Sequence, residues 1–346
     1  MYKNILVHSL VNLGDVLLST SAVALLKKMN PESKITMMVR PAMRQLLENN
    51  PVVDEVIIFD YKGSQKSIGA MWAFVGELKK RQFDLCISFD RKLRPAIITW
   101  LARIPVRVCP DRVFDDVPSR VTMLYTQVIH VPHDIVNNLQ AETYQAIVRG
   151  FFKIEGHAKP VMALPTATNE AKVAGLLVSL PETAKKIGLC VKGTFPLKTW
   201  PKEYFARLVE LLDERYDAAF FIIGAPEDRE YADEVIAAGK VKPANFCGRT
   251  SLTDMVPLYH AMDLFVTVDT GATHIAATTD VPMVVMYGCT SPKRWHPMNE
   301  NSRVLTTEED CCPCKIAAEE CPKPKCLWNI KPEAVLEKCA ELLAKE

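Results

Sequence analysis

At 346 residues the chain is long enough for two domains of ordinary size, each able to bury a full core. Hydrophobic residues make up 49% and charged residues 24%, with a formal net charge of +1, which excludes a disordered segment and a general nucleic-acid binder carrying a strong basic excess. No apolar run approaches the roughly 18–20 residues of a membrane-spanning helix. The apolar N-terminal stretch is interrupted by Asn12 and Asp15, so a mature first strand and a cytoplasmic chain are expected.

In chain order, residues 4–9 read as a strand and 16–29 as a helix with Leu18, Ala22, Leu25, Leu26 and Met29 on one face. The loop between them holds a single glycine, Gly14, so the three-glycine dinucleotide fingerprint is absent. Strands are expected at 34–39, 55–59 and 84–89, alternating with helices near 43–49, 68–80 and 94–102. Residues 113–132 read as irregular, and 135–152 as a long helix. Gly156, Pro160 and Pro165 mark the linker.

A second βα series follows, with strands at 187–191, 218–223, 245–247, 263–268 and 281–287 and helices at 202–214, 229–238 and 252–262. Alternating β and α over this length implies two doubly wound parallel sheets. We set the domains at 1–158 and 159–330, with a C-terminal helix in 331–346. Ligands of such sheets sit at the carboxyl ends of the strands, so a cleft between two facing domains is expected.

The stretch Asp263–Pro292 is strand, polar turn, helix and strand. Its turn at Thr270–His274 places helix N–H groups where a phosphate can be held. Asp15 admits two roles, the cap of the first helix or a base taking a proton from an attacking hydroxyl. His274 either hydrogen-bonds the Asp269 loop or contacts the phosphate. Lys198 is either a solvated lysine or a cation neutralising a diphosphate. No Asp-x-Asp pair occurs, so a carboxylate-held magnesium has no obvious seat.

Leu13-Gly14-Asp15-Val16, Lys198-x-Trp200-Pro201, Gly224-Ala225-Pro226-Glu227-Asp228, Val268-Asp269-Thr270-Gly271-x-x-His274-x-Ala276-Ala277 and Tyr287-Gly288-x-Thr290-x-Pro292 follow one another over nearly the whole chain. In these motifs the sequence resembles glycosyltransferase family 9, the ADP-heptose:lipopolysaccharide heptosyltransferases. The resemblance implies the GT-B fold and inverting, metal-independent heptose transfer from an ADP-sugar to the inner core of lipopolysaccharide, with no cofactor. It implies Asp15 as general base, and Lys198 with Thr194, Thr270, Gly271 and His274 at the diphosphate. Glu227 or Asp228 would hold the ribose, alignment on the leading glycine favouring Asp228, and Asp269 would shape the turn or contact the sugar.

The implied partners are the ADP-sugar and a lipid-linked acceptor, with peripheral contact at the inner membrane and no nucleic acid. The C-terminal helix is expected to pack toward the first domain. Cys289 stands where relatives usually have proline. Asn12, Arg91, Lys92 and Arg94 are acceptor candidates, because core sugars and lipid A carry anionic groups; a solvated basic loop is the alternative. Two other functions fit the same fold: a sugar-nucleotide epimerase and a non-catalytic nucleotide-sugar-binding protein.

Of the eleven cysteines, Cys311, Cys312, Cys314, Cys321 and Cys326 crowd together. Their Cys-x-x-Cys element is compatible with a structural zinc. A disulfide is less expected in a reducing compartment, and free thiols are the remaining alternative.

Overall fold

The computed structural model describes residues 2–114, 117–132, 134, 136–182, 185–307, 309–314, 321 and 324–344. The chain divides into Met1–Leu164 and Pro165–Glu346. The boundary falls beyond the expected 158/159 because the connecting segment pairs with the first unit: Val161 N–H donates to Thr20 Oγ1, Ala163 N–H to the Leu46 carbonyl and Leu164 N–H to the Asn49 carbonyl.

The first unit runs β1 (Asn4–His8), α1 (Leu13–Met29), β2 (Lys34–Val39), β3 (Glu55–Ile58), α2 (Ile68–Lys80), β4 (Leu85–Ser88), α3 (Leu93–Leu101), β5 (Val106–Pro110), β6 (Gln127–Ile129) and α4 (Gln140–Phe152). Its six strands are parallel in the order β3-β2-β1-β4-β5-β6. The central strands read as unbroken apolar runs because helices cover both faces. Residues 113–132, expected to be irregular, contain β6 and a 3-10 turn at Arg120–Leu124. The helix expected from 135 begins at Gln140; residue 135 lies outside the described residues, and Asp134 Oδ1 accepts the N–H groups of Val136 and Asn137 in a turn before it.

The second unit runs α5 (Ala167–Leu177), β7 (Lys185–Cys190), α6 (Lys202–Asp213), β8 (Ala218–Ile222), α7 (Arg229–Ala238), β9 (Ala244–Asn245), α8 (Met255–His260), β10 (Leu264–Val268), α9 (Gly271–Ala277), β11 (Met283–Tyr287), α10 (Pro292–Trp295), β12 (Ser302–Thr306), α11 (Lys325–Trp328) and α12 (Pro332–Leu343). The sheet order is β12-β11-β10-β7-β8-β9, again all parallel. Both sheets are therefore the doubly wound Rossmann-like arrangement, and together they make the GT-B fold class.

Trp200 is fully buried and its Nε1–H donates to the Ile330 carbonyl at 3.0 Å, which fastens the start of α6 to the entry of α12. The buried face of α12, Val335, Cys339, Leu342 and Leu343, joins the core of the second unit, against α6, β10 and β11. No helix among the described residues is long and apolar enough to cross a membrane.

Candidate active site

In each unit the strand order reverses beside its first strand, so the loops after β1 and β4, and after β7 and β10, flank the switch points where doubly wound sheets bind ligands. Most sequence candidates fall on or directly after these loops, Glu227 and Asp228 following β8 instead, and each unit carries its own set.

In the first unit α1 begins earlier than expected, at Leu13, with Asn12 as the cap residue. Asp15 is therefore not the cap; it sits in the first turn, 8% exposed, and its Oδ1 accepts the Tyr144 hydroxyl at 3.0 Å. Burial first, and then the Asp15 charge, push the Tyr144 phenol well above its usual range, so Tyr144 stays a donor and orients the carboxylate. The loop before α1 is held by two cations: Arg40 Nη2 donates to the Val11 carbonyl and, at 3.4 Å, to Asn12 Oδ1, and Lys92 Nζ donates to the Leu10 carbonyl.

The other two acceptor candidates lie further along. Arg91 donates to the carbonyls of Asp111 and Val117, and a pocket of about 300 Å³ opens between it, Lys92, Val113, Phe114, Val117 and Ser119. Arg94 sits 5.1 Å over the Tyr61 ring and donates to the Tyr61 carbonyl. Beneath them His8 and Asp90 form a wholly buried pair, Nδ1 to Oδ1 3.6 Å, while Asp90 Oδ2 accepts the Leu10 N–H at 2.6 Å. Burial alone would lower the His8 pKa; the Asp90 carboxylate outweighs it and raises His8 to about 10. Tyr144 and Arg40 are functional candidates that sequence reasoning missed. Arg40 had a signal, its position at the carboxyl end of β2; Tyr144 lies mid-helix and had none.

In the second unit, Asp269 is 3% exposed at the end of β10. Its Oδ2 accepts Lys198 Nζ and the Thr290 hydroxyl, each at 2.6 Å. The Val191–Thr199 loop can bring Lys198 there because Gly193 has no side chain: a Cβ would lie 2.5 Å from the Lys198 carbonyl oxygen. Thr270 caps α9, and Thr273 Oγ1 fastens the turn by donating to the Val268 carbonyl at 2.9 Å. His274 is buried, and its Nδ1 finds no hydrogen-bond partner among the described residues. Burial chiefly, with Lys198 adding to it against Asp269, lowers its pKa to about 4, so the imidazole is neutral near pH 7.

Thr194 is exposed on the same loop as Lys198. Asp228 is used within its own turn, Oδ2 accepting the Ala225 N–H at 2.9 Å and Oδ1 lying 3.4 Å from Lys192 Nζ. Glu227 beside it presents an exposed side chain. The structure thus gathers Lys198, Asp269, Thr270 and Thr290 tightly, and keeps Glu227 and Asp228 on the neighbouring β8 loop.

Cys312, Cys314 and Cys321 pack against buried Cys289 and Cys326, all as free thiols, and Cys311 is exposed. No group of three ligands among the described residues is placed to hold a metal ion.

Residues 71–325, more than half of the chain, match the family model described as glycosyltransferase family 9 (heptosyltransferase). The chain is 27% identical over 346 residues to lipopolysaccharide heptosyltransferase 2 of Salmonella typhimurium, covering 96% of each. Among solved structures it is similar to the glycosyl transferase family 9 of Veillonella parvula, with a TM-score of 0.87 at 23% identity over 99% of this chain and 98% of that one. It is also similar to the E. coli ADP-heptose LPS heptosyltransferase II, with a TM-score of 0.81 at 23% identity over 99% of both chains. With these motifs lying at the carboxyl ends of strands in two Rossmann-like sheets, the chain belongs to glycosyltransferase family 9, the heptosyltransferases.

Proposed function

We propose that the protein is an inverting heptosyltransferase that moves a heptose from ADP-heptose to the inner core of lipopolysaccharide, at the cytoplasmic face of the membrane carrying the acceptor. The observation that carries the reading is Asp15: it stands in the first turn of α1, past the cap position, beside the switch point of its sheet, and its carboxylate accepts a buried phenol.

In this mechanism Asp15 takes the proton from an acceptor hydroxyl as that oxygen forms its bond to the anomeric carbon. The bond from that carbon to the diphosphate oxygen breaks on the opposite face, which inverts the anomeric configuration. The electron pair leaves with ADP. Lys198 and the N–H groups at the start of α9 meet the charge developing on the diphosphate, so the step asks for no metal. Neutral His274 is a further hydrogen-bonding partner for a phosphate oxygen. Glu227, the exposed carboxylate of its pair, accepts from the ribose hydroxyls while Asp228 holds the turn. Arg40, Lys92 and Asn12 receive the anionic acceptor near Asp15.

Replacing Asp15 with Ala tests the assignment. We expect turnover to fall by about 10²–10⁴-fold, with ADP affinity by calorimetry unchanged. Near-normal turnover in that variant removes Asp15 as the base.

A further inference from the structure

The first unit carries an apolar surface that its own core does not explain. In α3, Pro95, Ala96, Ile98 and Thr99 face inward, while Leu93, Ile97 and Trp100 recur at i, i+4 and i+7 along an exposed stripe. In α2 the inward face is Phe74, Val75 and Leu78, and Ile68 and Trp72 stand outside it, Trp72 at 59% exposure. A helix on a water-exposed surface ordinarily places charged or polar residues at such positions. The two helices are neighbours, and the Arg120–Leu124 turn beside α3 adds Met123 at 83% exposure. The exposed residues thus belong to adjacent elements, where isolated apolar side chains would need no explanation.

Basic residues outnumber acidic ones around this surface. No Asp or Glu occurs from 91 to 110 or from 117 to 132, and the first of these stretches contains Arg91, Lys92, Arg94, Arg103 and Arg107. Lys62 and Lys66 precede α2, and the one carboxylate within α2, Glu77, is hydrogen-bonded to Arg81. Tryptophan and aliphatic side chains with surrounding lysine and arginine suit the headgroup region of an anionic bilayer. A second copy of this chain meeting the same surface would bring like charges together.

We propose that this face, the exposed sides of α2 and α3 with the Arg120–Leu124 turn, docks the protein on an anionic lipid bilayer. The N-terminal ends of both helices lie at the carboxyl edge of the sheet, the edge that also carries Asn12 and Asp15, and Lys92 links α3 to the Leu10 carbonyl. A lipid-anchored acceptor embedded in that bilayer is thereby presented at the edge where Asp15 lies. This last step rests on the transferase reading above; the lipid contact does not.

The test uses the full chain and the triple variant Trp72→Ser/Ile97→Ser/Trp100→Ser, whose exposed sites leave the fold intact by near-ultraviolet circular dichroism. Each is sedimented with vesicles of phosphatidylglycerol and phosphatidylethanolamine, and with phosphatidylcholine vesicles. Each is also assayed for transfer to a deacylated, water-soluble core acceptor. We expect salt-sensitive binding of the parent chain to the anionic vesicles only, weakened about tenfold or more in the variant, and equal transfer to the soluble acceptor. Equal vesicle binding by both proteins overturns the proposal, as does binding that ignores lipid charge. A dimer lost in the variant, with no vesicle binding by either protein, also overturns it. Vesicle binding of the expected kind without transfer by either protein supports the surface and counts against the transferase reading instead.

Discussion

Lys198 and His274 differ in how the protein sets their charge. Lys198 is held by a buried carboxylate, so the diphosphate proposed to bind there would meet a cation already in place. Replacing Lys198 with Met should weaken ADP binding about tenfold or more, since hydrogen bonds to charged groups are worth about 1.5–3 kcal/mol. It should also destabilise the second unit, because Asp269 loses its counter-charge while staying buried. Calorimetric titration and thermal unfolding read the two effects; unchanged ADP affinity places the diphosphate elsewhere.

His274 has a folded pKa of about 4, below the roughly 6.5 of an unfolded histidine. The unfolded chain therefore binds more protons between those values, and stability falls as pH drops through that window. ADP affinity should show no step assignable to His274 between about pH 6 and 8. A step in that range that disappears in His274→Phe contradicts the neutral imidazole.

Elements of the first unit rest on the His8–Asp90 pair, which joins the end of β1 to the loop after β4. The folded pKa of His8 is raised, so its contribution is complete below about pH 6.5 and is lost as pH climbs toward about 10. Asp90 is depressed, so its contribution is present above the ordinary carboxylate range and lost in acid. Asp90→Asn should cost about 3–5 kcal/mol by leaving His8 buried without a counter-charge, and should flatten the fall of the melting temperature above pH 6.5. An unchanged profile would mean that the pair is not charged.

Such pairing explains what was legible in the sequence. β2, β10 and β11 were readable because strands buried on both faces are nearly continuous apolar runs. β6 was not, being three residues at a sheet edge with two of them exposed. The turn leading to Asp15 was visible as a polar break after an apolar run. Tyr144, which orients it, comes from 129 residues away and is placed by tertiary packing alone. Alignment favoured Asp228 over Glu227, and the letters do not show that Asp228 Oδ2 also accepts the Ala225 N–H within its own turn.

At the scale of the whole molecule the residues proposed for the donor and the proposed base belong to different units. ADP should therefore slow hydrogen exchange in 192–198 and 269–275 of the second unit while leaving 13–16 largely unprotected. Peptide-resolved exchange with and without ADP measures this, and protection confined to the first unit would reverse the assignment.

The shared strand order has a further consequence. Counted by position in its sheet, the segment after the first strand carries Asp15 in one unit and Lys198 in the other. The segment after the fourth strand carries Arg91, Lys92 and Arg94 in one and Asp269 in the other. The same two addresses are thus filled with opposite signs, as a relief and its cast. The repeated architecture supplies location only, and the sign of the charge at each address is written in the segments that follow the strands.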